Sequence, residues 1–382
     1  MRIVVINPYA VGARNPRASR IHFVLQCLME NNIDFLIISK NGFASRDSIH
    51  GLKDIRVNTQ KENSNYNMRN RFAKWVSGFI IPDRWVFWTF YSLVKYVCFY
   101  RRKEDILWTI SNPWSAHLFG LFTKPTKWVA DIGDLYSQNE HHPVWNGVFS
   151  SFTIFYENKI LRSADKCLVN SPKIKEYYLK KYPVDVKNME LIYSGTILNF
   201  KLVKRRESTN IRLAYFGNTF ETIRTGLREI HIFEELCKEY PELIITRQFS
   251  LFGKQTYGLL EFIQNSQVLK HHCRMHNIFS DEELLEAYRQ TDILVNFSNG
   301  TYPGMPSKLV EYVQSNLPIL NFYQFPEEAS LDFLKGINNA LSVDLDRPDL
   351  QAIYDFIQKI AIQPRDHPYH NDQLKSEWMK VF

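Results

Sequence analysis

Short apolar runs alternate with stretches of helical periodicity along the whole chain. RIVVIN (2–7), FLIIS (35–39), ILWTI (106–110), KWVADI (127–132), KCLVNS (166–171) and MELIYS (189–194) have the length and the β-branched or aromatic content of buried strands. Between several of them the spacing predicts helices, from Ser19 to Asn31 and from Phe152 to Ser163. A charged stretch poor in apolar residues, KLVKRRESTN (201–210), breaks the pattern, which then restarts. IRLAYFG (211–217), FSLFG (249–253), ILVNFS (293–298) and PILNFY (318–323) read as strands, with helices from Leu227 to Tyr240 and from Asp281 to Gln290. Strands that alternate with helices form parallel sheets with right-handed crossovers. The expectation is an α/β fold of two Rossmann-like, doubly wound domains, residues 1–200 and 201–365, joined near 197–210 and facing across a cleft. Ligands of such sheets bind beyond the C-terminal strand ends, which makes that cleft the expected site.

Length agrees with two domains, because 382 residues exceed one typical core. Composition is that of a globular protein, 45% hydrophobic and 23% charged, without a low-complexity tract. The five cysteines, Cys27, Cys98, Cys167, Cys237 and Cys273, are scattered and include no CxxC pair, as expected of buried thiols in a reducing compartment. The start, MRIVVINPYA, has too short an apolar run for a signal peptide and reads as a first strand, so a cytoplasmic location is expected.

Charge changes the picture in one place. The window from Arg69 to Lys103 holds eight basic residues and one acid, Asp83, so it matches the whole chain's formal charge of +7. Trp75, Phe79, Trp85, Trp88, Tyr91, Tyr96 and further aromatics are interleaved with these charges, and the apolar run is too short to span a membrane. Such a segment suits peripheral contact with the inner face of a membrane, or else two aromatic-rich core helices with charges in water. No nucleic-acid motif or basic stripe accompanies it.

Candidate chemistry gathers at predicted strand ends. In the second half, strand IRLAYFG runs into NTFETIRTGLRE. Gly217 permits close backbone approach, Asn218 and Thr219 offer donors, and Arg224 and Arg228 flank a helix start, which suits a diphosphate. A plain strand-to-helix turn with solvated arginines reads the same residues. No GxGxxG or GxxxxGK[ST] is present, against a nicotinamide-dependent dehydrogenase and against P-loop chemistry. In TYPGMPSKLVEYVQSNLPIL (301–320), Ser307 is expected as the N-cap of a helix whose N-terminus faces an anion. Glu311 lies one residue beyond the capping-box position, Val310, so a ribose diol explains it better than a cap, with Lys308 against phosphate. In the first half, Asp131 and Asp134 close strand KWVADI, where a carboxylate can deprotonate an acceptor hydroxyl, unless one of them only caps a turn. Arg17 and Arg20 follow the first strand and are expected to face the same cleft, toward an anionic acceptor or the diphosphate. His141-His142 are adjacent and lack an acid cluster, so no metal site is expected, and His117 reads as a core or capping residue more readily than as a cleft residue.

The ordered segments YFGNT…R, FGK, NIFSDEELLEAYRQTDILVNFS and PSKLVEYVQSNLPIL resemble the C-terminal half of GT-B glycosyltransferases of the GT4-like group. KWVADIGDLYSQN and ENKILRSADKCLVNSPKIKEYY resemble the N-terminal half of the same group, so the likeness covers roughly residues 105–320. It implies transfer of a sugar from a nucleotide diphosphate sugar to a saccharide acceptor, without a cofactor or metal. By the same resemblance Gly217, Asn218, Thr219, Arg224 and Lys254 hold the diphosphate, Ser307 and Lys308 support it, and Glu311 binds the ribose. A C-terminal helix over about 366–382 is expected to pack back on the first domain. Two departures stand out. Many relatives carry an arginine between the two aspartates, where this chain has Gly133, and a second glutamate eight residues before Glu311, where it has Pro303. The expected role is a retaining glycosyltransferase of surface polysaccharide, lipopolysaccharide or capsule, with a lipid-linked acceptor. The alternatives are a nucleotide-sugar epimerase of the same fold and a catalytically inactive binding subunit.

Overall fold

The computed structural model describes residues 1–11, 15–49, 82–137, 150–182, 188–200, 211–242, 247–277, 280–300, 303–358 and 369–382. Residues 69–81 of the basic aromatic segment and His141-His142 lie outside these. The strands are β1 Arg2–Ile6, β2 Asp34–Ser39, β3 Gly42–Ser45, β4 Asp105–Ile110, β5 Lys127–Asp131, β6 Lys166–Val169, β7 Met189–Leu191, β8 Ile211–Phe216, β9 Arg247–Phe252, β10 Cys273–His276, β11 Ile293–Asn296, β12 Ile319–Tyr323 and β13 Ala340–Asp344. The helices are α1 Pro16–Glu30, α2 Val86–Lys95, α3 Leu118–Thr123, α4 Ser150–Ser163, α5 Pro172–Lys181, α6 Leu227–Glu239, α7 Tyr257–Asn265, α8 Leu269–His272, α9 Asp281–Arg289, α10 Lys308–Ser315, α11 Ala329–Leu334, α12 Leu350–Gln358 and α13 Asn371–Val381.

The chain divides into two compact units, one of Met1–Ile197 with Asp372–Phe382 and one of Leu198–Asn371. The first holds a sheet in the order β3-β2-β1-β4-β5-β6-β7, parallel except for β3, which runs antiparallel to β2. The second holds a wholly parallel sheet in the order β10-β9-β8-β11-β12-β13. The central strands are buried on both faces, which is why RIVVI and DILWTI read as unbroken apolar runs. In the first unit α13 is held by Leu374, Trp378 and Val381, all buried, and the Trp378 indole donates to the Tyr193 carbonyl at 3.0 Å.

Three strands were not foreseen: β3, β10 and β13 lie at sheet edges, and β10 buries only its first residue, so no apolar run marks it. Helix α1 starts three residues earlier than expected. Asn15 supplies the cap by accepting from the Ala18 amide, and Pro16 fits the first turn. Four of the five cysteines are buried as expected, while Cys98 is exposed. The described part of the basic segment forms α2, which continues as a π turn over Tyr96–Tyr100. No helix among the described residues is long and apolar enough to cross a membrane.

In each sheet the strand order reverses once, between β1 and β4 and between β8 and β11. Ligands of doubly wound sheets bind at such reversals.

Candidate active site

At the first reversal, the loops after β1, β4 and β5 are stitched together. Asn7 donates to the carbonyls of Ile110 (3.1 Å) and Asn112 (3.4 Å). The Ser111 amide donates to the Asp131 carbonyl at 2.9 Å, and the Ser111 hydroxyl accepts from the Gly133 amide at 3.1 Å. Asn112 takes the left-handed conformation (φ 54°) that asparagine tolerates.

The two aspartates and two arginines turn out to be partners. Asp131 ends β5 and is fully buried, and its Oδ2 accepts from Arg20 Nε at 2.8 Å. Arg20 also donates to the Ile192 carbonyl at 3.0 Å and lies over the Trp378 ring, 4.6 Å from its centroid. This corrects the expected position of Arg20: with 2% of its surface exposed, it ties α1 to β5 and α13 instead of facing solvent. Asp131 is correspondingly buried beneath the strand end and taken up by this pair. Asp134 is different. Its side chain is 25% exposed, and its Oδ2 accepts from Arg17 and from Asn112. A β-carbon placed on Gly133 would fall on the Arg17 guanidinium. The cation beside Asp134 is thus supplied from α1, through space that only glycine leaves open.

Two further polar groups near this edge belong to the core. His117 is buried with Nδ1 2.7 Å from the Thr109 hydroxyl, and burial lowers its pKa to about 3, so the ring is neutral. Glu157, on α4, is fully buried and accepts from the Ser137, Tyr178 and Tyr182 hydroxyls and from Lys181. Those donors compensate its burial and pin the chain just after Asp134.

At the second reversal, the loops after β8 and β9 bind each other. Asn218 Oδ1 accepts from the Lys254 amide and Thr219 Oγ1 from the Thr256 amide, both at 2.8 Å, while the Thr219 amide donates to the Lys254 carbonyl at 3.0 Å. The side chains expected to serve a ligand therefore first serve the loop. Gly253 (φ +107°) makes this approach possible, since a β-carbon there would stand 2.8 Å from both Asn218 Oδ1 and the Gly217 carbonyl oxygen. Lys254 is exposed, and its ammonium has no partner among the described residues.

Arg224 reaches across this edge to donate to Asn299, which follows β11, while its Nε is buried without a hydrogen-bond partner among the described residues. Asn299 in turn donates to the Gly304 carbonyl at 2.7 Å, and its amide donates to Glu328 at 3.3 Å. The Ser298 amide donates to Glu229 at 3.0 Å. Burial raises the Glu229 pKa to about 7 and also raises that of Glu328. Arg228 is turned away from this cluster and pairs with Asp346 at 2.6 Å.

Ser307 stands directly before α10, but its backbone is already helical (φ −59°, ψ −27°) and its hydroxyl makes no capping bond. This corrects its expected role as a side-chain cap. Lys308 and Glu311 pair at 2.6 Å, and Glu311 Oε2 accepts from the Tyr288 hydroxyl at 3.3 Å. Burial keeps the Tyr288 phenol protonated, so it remains a donor. Beside it the Tyr312 hydroxyl accepts from the Phe216 amide at 2.8 Å, which fixes α10 against the end of β8. Asn299, Glu229, Glu328 and Tyr288 were not foreseen. An Asn-Gly pair after a strand was the one available signal; the acids lie in or beside helices with nothing to set them apart. Among the described residues no three His, Cys, Asp or Glu side chains converge as a metal-ligand set.

No protein-family model and no curated protein matches the sequence. Solved structures do match over its whole length. A sucrose-phosphate synthase from Thermosynechococcus elongatus superposes with a TM-score of 0.60 at 16% identity, covering 100% of this chain and 95% of its own. The trehalose-6-phosphate protein from E. coli bound with UDP-2-fluoro glucose gives 0.60 at 11% identity with the same coverage. A putative UDP-N-acetylglucosamine 2-epimerase from Listeria monocytogenes gives 0.58 at 10% identity, again covering 100% and 95%. At such identities the likeness speaks for the fold: the chain is built as GT-B glycosyltransferases are, from two Rossmann-like units carrying parallel sheets.

Proposed function

We propose that the chain is a glycosyltransferase that moves a hexosyl group from a nucleoside diphosphate sugar to a saccharide acceptor. The observation that carries this reading is Glu311, a carboxylate one turn into α10, off the capping register and held by Lys308 and Tyr288 at a strand-order reversal. A ribose diol donates two hydrogen bonds to it, which frees Lys308 to meet a phosphate. The diphosphate lies on the Gly217–Thr219 loop, with Arg224, Lys254 and the Ser307 end of α10 supplying positive potential. That potential stabilises the leaving diphosphate as the glycosidic bond breaks, without requiring a metal. UDP-2-fluoro glucose in the E. coli neighbour makes a uridine diphosphate sugar the first donor to test.

On the first unit, Asp134 accepts the proton of the attacking acceptor hydroxyl, Arg17 orients its carboxylate, and Asp131 with Arg20 fixes the strand end below. The acceptor oxygen bonds the anomeric carbon from the face that the diphosphate leaves, as the bond from that carbon to the phosphate oxygen breaks and Asp134 takes the hydroxyl proton, so the configuration is retained. The acceptor is a lipid-linked saccharide met at the inner face of the cytoplasmic membrane, in surface polysaccharide synthesis, which the basic aromatic segment supports.

A screen of thermal stability with UDP-, GDP-, ADP- and CMP-sugars tests the reading: at least one raises Tm in a concentration-dependent way, and a flat response to all four contradicts it. An epimerase is the second reading, supported by the putative UDP-N-acetylglucosamine 2-epimerase from Listeria monocytogenes among the similar structures. Epimerised donor in the absence of acceptor would select it.

A further inference from the structure

Helix α2 turns a stripe of apolar side chains to solvent. Phe87, Phe90, Tyr91 and Val94 recur at the spacing of one helix face and are each at least 43% exposed, and Val97 and Phe99 extend the stripe along the π turn. The opposite face, Val86, Thr89, Leu93 and Tyr96, is buried. On α3, Phe122 is 61% exposed with its ring centroid 5.9 Å from that of Phe90, so the stripe crosses two helices. A contiguous apolar surface of this kind marks an interaction site.

The charges around the stripe say what it meets. From Arg84 to Lys103 the chain has five cations and no acid. At the C-terminal end of the stripe, a recess of about 210 Å³ is lined by Arg101, Arg102, Lys103, Thr123, Lys124 and Thr126. Its one acid, Asp105, is already occupied by Arg2 (2.9 Å), the Tyr96 hydroxyl (2.7 Å) and the Arg102 amide (2.8 Å). Arg101 is anchored on the Thr123 carbonyl at 2.8 Å and Arg102 pairs with Asp34. The ammonium groups of Lys103 and Lys124, both exposed, have no partner among the described residues. Asp105 begins β4 and Lys127 begins β5, so the recess opens at the N-terminal ends of these strands, the end opposite Asp134. The stripe is the convex outside of a helix, flanked at one end by long cationic side chains. That combination fits a bilayer surface, where aromatic side chains enter the acyl boundary and lysines reach lipid phosphates.

We propose that the outer face of α2, with Phe122, lies in the interface of an anionic bilayer, and that Lys103 and Lys124 hold a lipid phosphate at the recess. This deepens the acceptor side of the proposed function by naming how the chain reaches its membrane, and its test does not pass through the donor.

The test is flotation of the full chain with vesicles of equal parts phosphatidylglycerol and phosphatidylcholine, against phosphatidylcholine alone. The chain is expected to float with the anionic vesicles. Lys103→Glu combined with Lys124→Glu is expected to weaken partitioning at least about 25-fold at low salt, since each cation near an anionic surface contributes about fivefold. Reversing two exposed lysines elsewhere, Lys180→Glu with Lys335→Glu, makes the same change in net charge and is expected to cost far less. Phe87→Ser with Tyr91→Ser is expected to abolish flotation while the circular dichroism of the fold is kept. Equal losses from the two charge-reversed pairs would overturn the phosphate site. Absence of vesicle binding, a serine variant that floats normally, or a chain dimer that the serine variant disperses would each overturn the docking. Donor titration of the same preparations separates the two proposals: lost flotation with donor binding intact counts against this one alone, and the reverse against the proposed function alone.

Discussion

Gly133 leaves room for the Arg17 guanidinium beside Asp134, so the smallest residue in the loop sets the environment of the candidate base. Gly133→Ala is expected to push Arg17 off Asp134 and lower turnover while the fold persists, as read by kcat with unchanged thermal unfolding. The two aspartates separate cleanly by substitution. Asp131→Asn leaves Arg20 as an uncompensated buried charge and is expected to destabilise the first unit by about 3–5 kcal/mol in denaturant unfolding. Asp134→Asn is expected to remove transfer activity with little change in stability; activity surviving there would refute the base. In the second unit, Glu229 has a pKa raised by burial to about 7, against 4.5 for an ordinary glutamate. Its folded form prefers the proton, so the stability it permits is fully present below about pH 4.5 and is lost as pH rises through 7. Glu229→Gln is expected to remove this decline, gaining on the order of 3 kcal/mol at pH 8 and nothing at pH 4. Equal pH profiles of unfolding for the two proteins would contradict it.

At the scale of elements, what the sequence revealed depended on burial. Strands covered on both faces announce themselves as apolar runs, and all ten runs read from the sequence, that of the edge strand β7 included, lie within or overlap strands of the two sheets. Edge strands β3, β10 and β13 bury little and left no such run. The candidate residues could be read as neighbours because they follow strand ends at the two reversals. Their pairings could not: Arg20 and Asp131 are 111 residues apart, and nothing local marks them as partners. Ser307 misled for a related reason, since a cap depends on the incoming backbone angle, which the residue type does not fix. The loops after β8 and β9 act as one element because Gly253 lets their backbones touch. Gly253→Ala sets a side chain at positive φ against backbone and is expected to cost about 1–3 kcal/mol, together with weaker nucleotide binding. An unaltered unfolding midpoint would show that the loops are not so constrained.

For the whole molecule, the two units present their candidate chemistry in the same way, at the reversal of strand order and beyond the C-terminal strand ends. The first contributes a solvent-reached carboxylate with an arginine beside it, the second a carboxylate paired with a lysine at a helix start and an exposed lysine, Lys254, in the loop after β9. That division of labour suits a transferase with one unit for the acceptor and one for the donor. Its central claim is that a nucleoside diphosphate sugar binds the second unit through Glu311. The most direct measurement is calorimetric titration of the best nucleoside diphosphate from the stability screen into the unmodified protein and into Glu311→Ala. Loss of two hydrogen bonds from ribose to a charged acceptor is expected to weaken binding about ten- to a hundredfold. Equal affinity for the two proteins would mean that Glu311 does not hold the ribose.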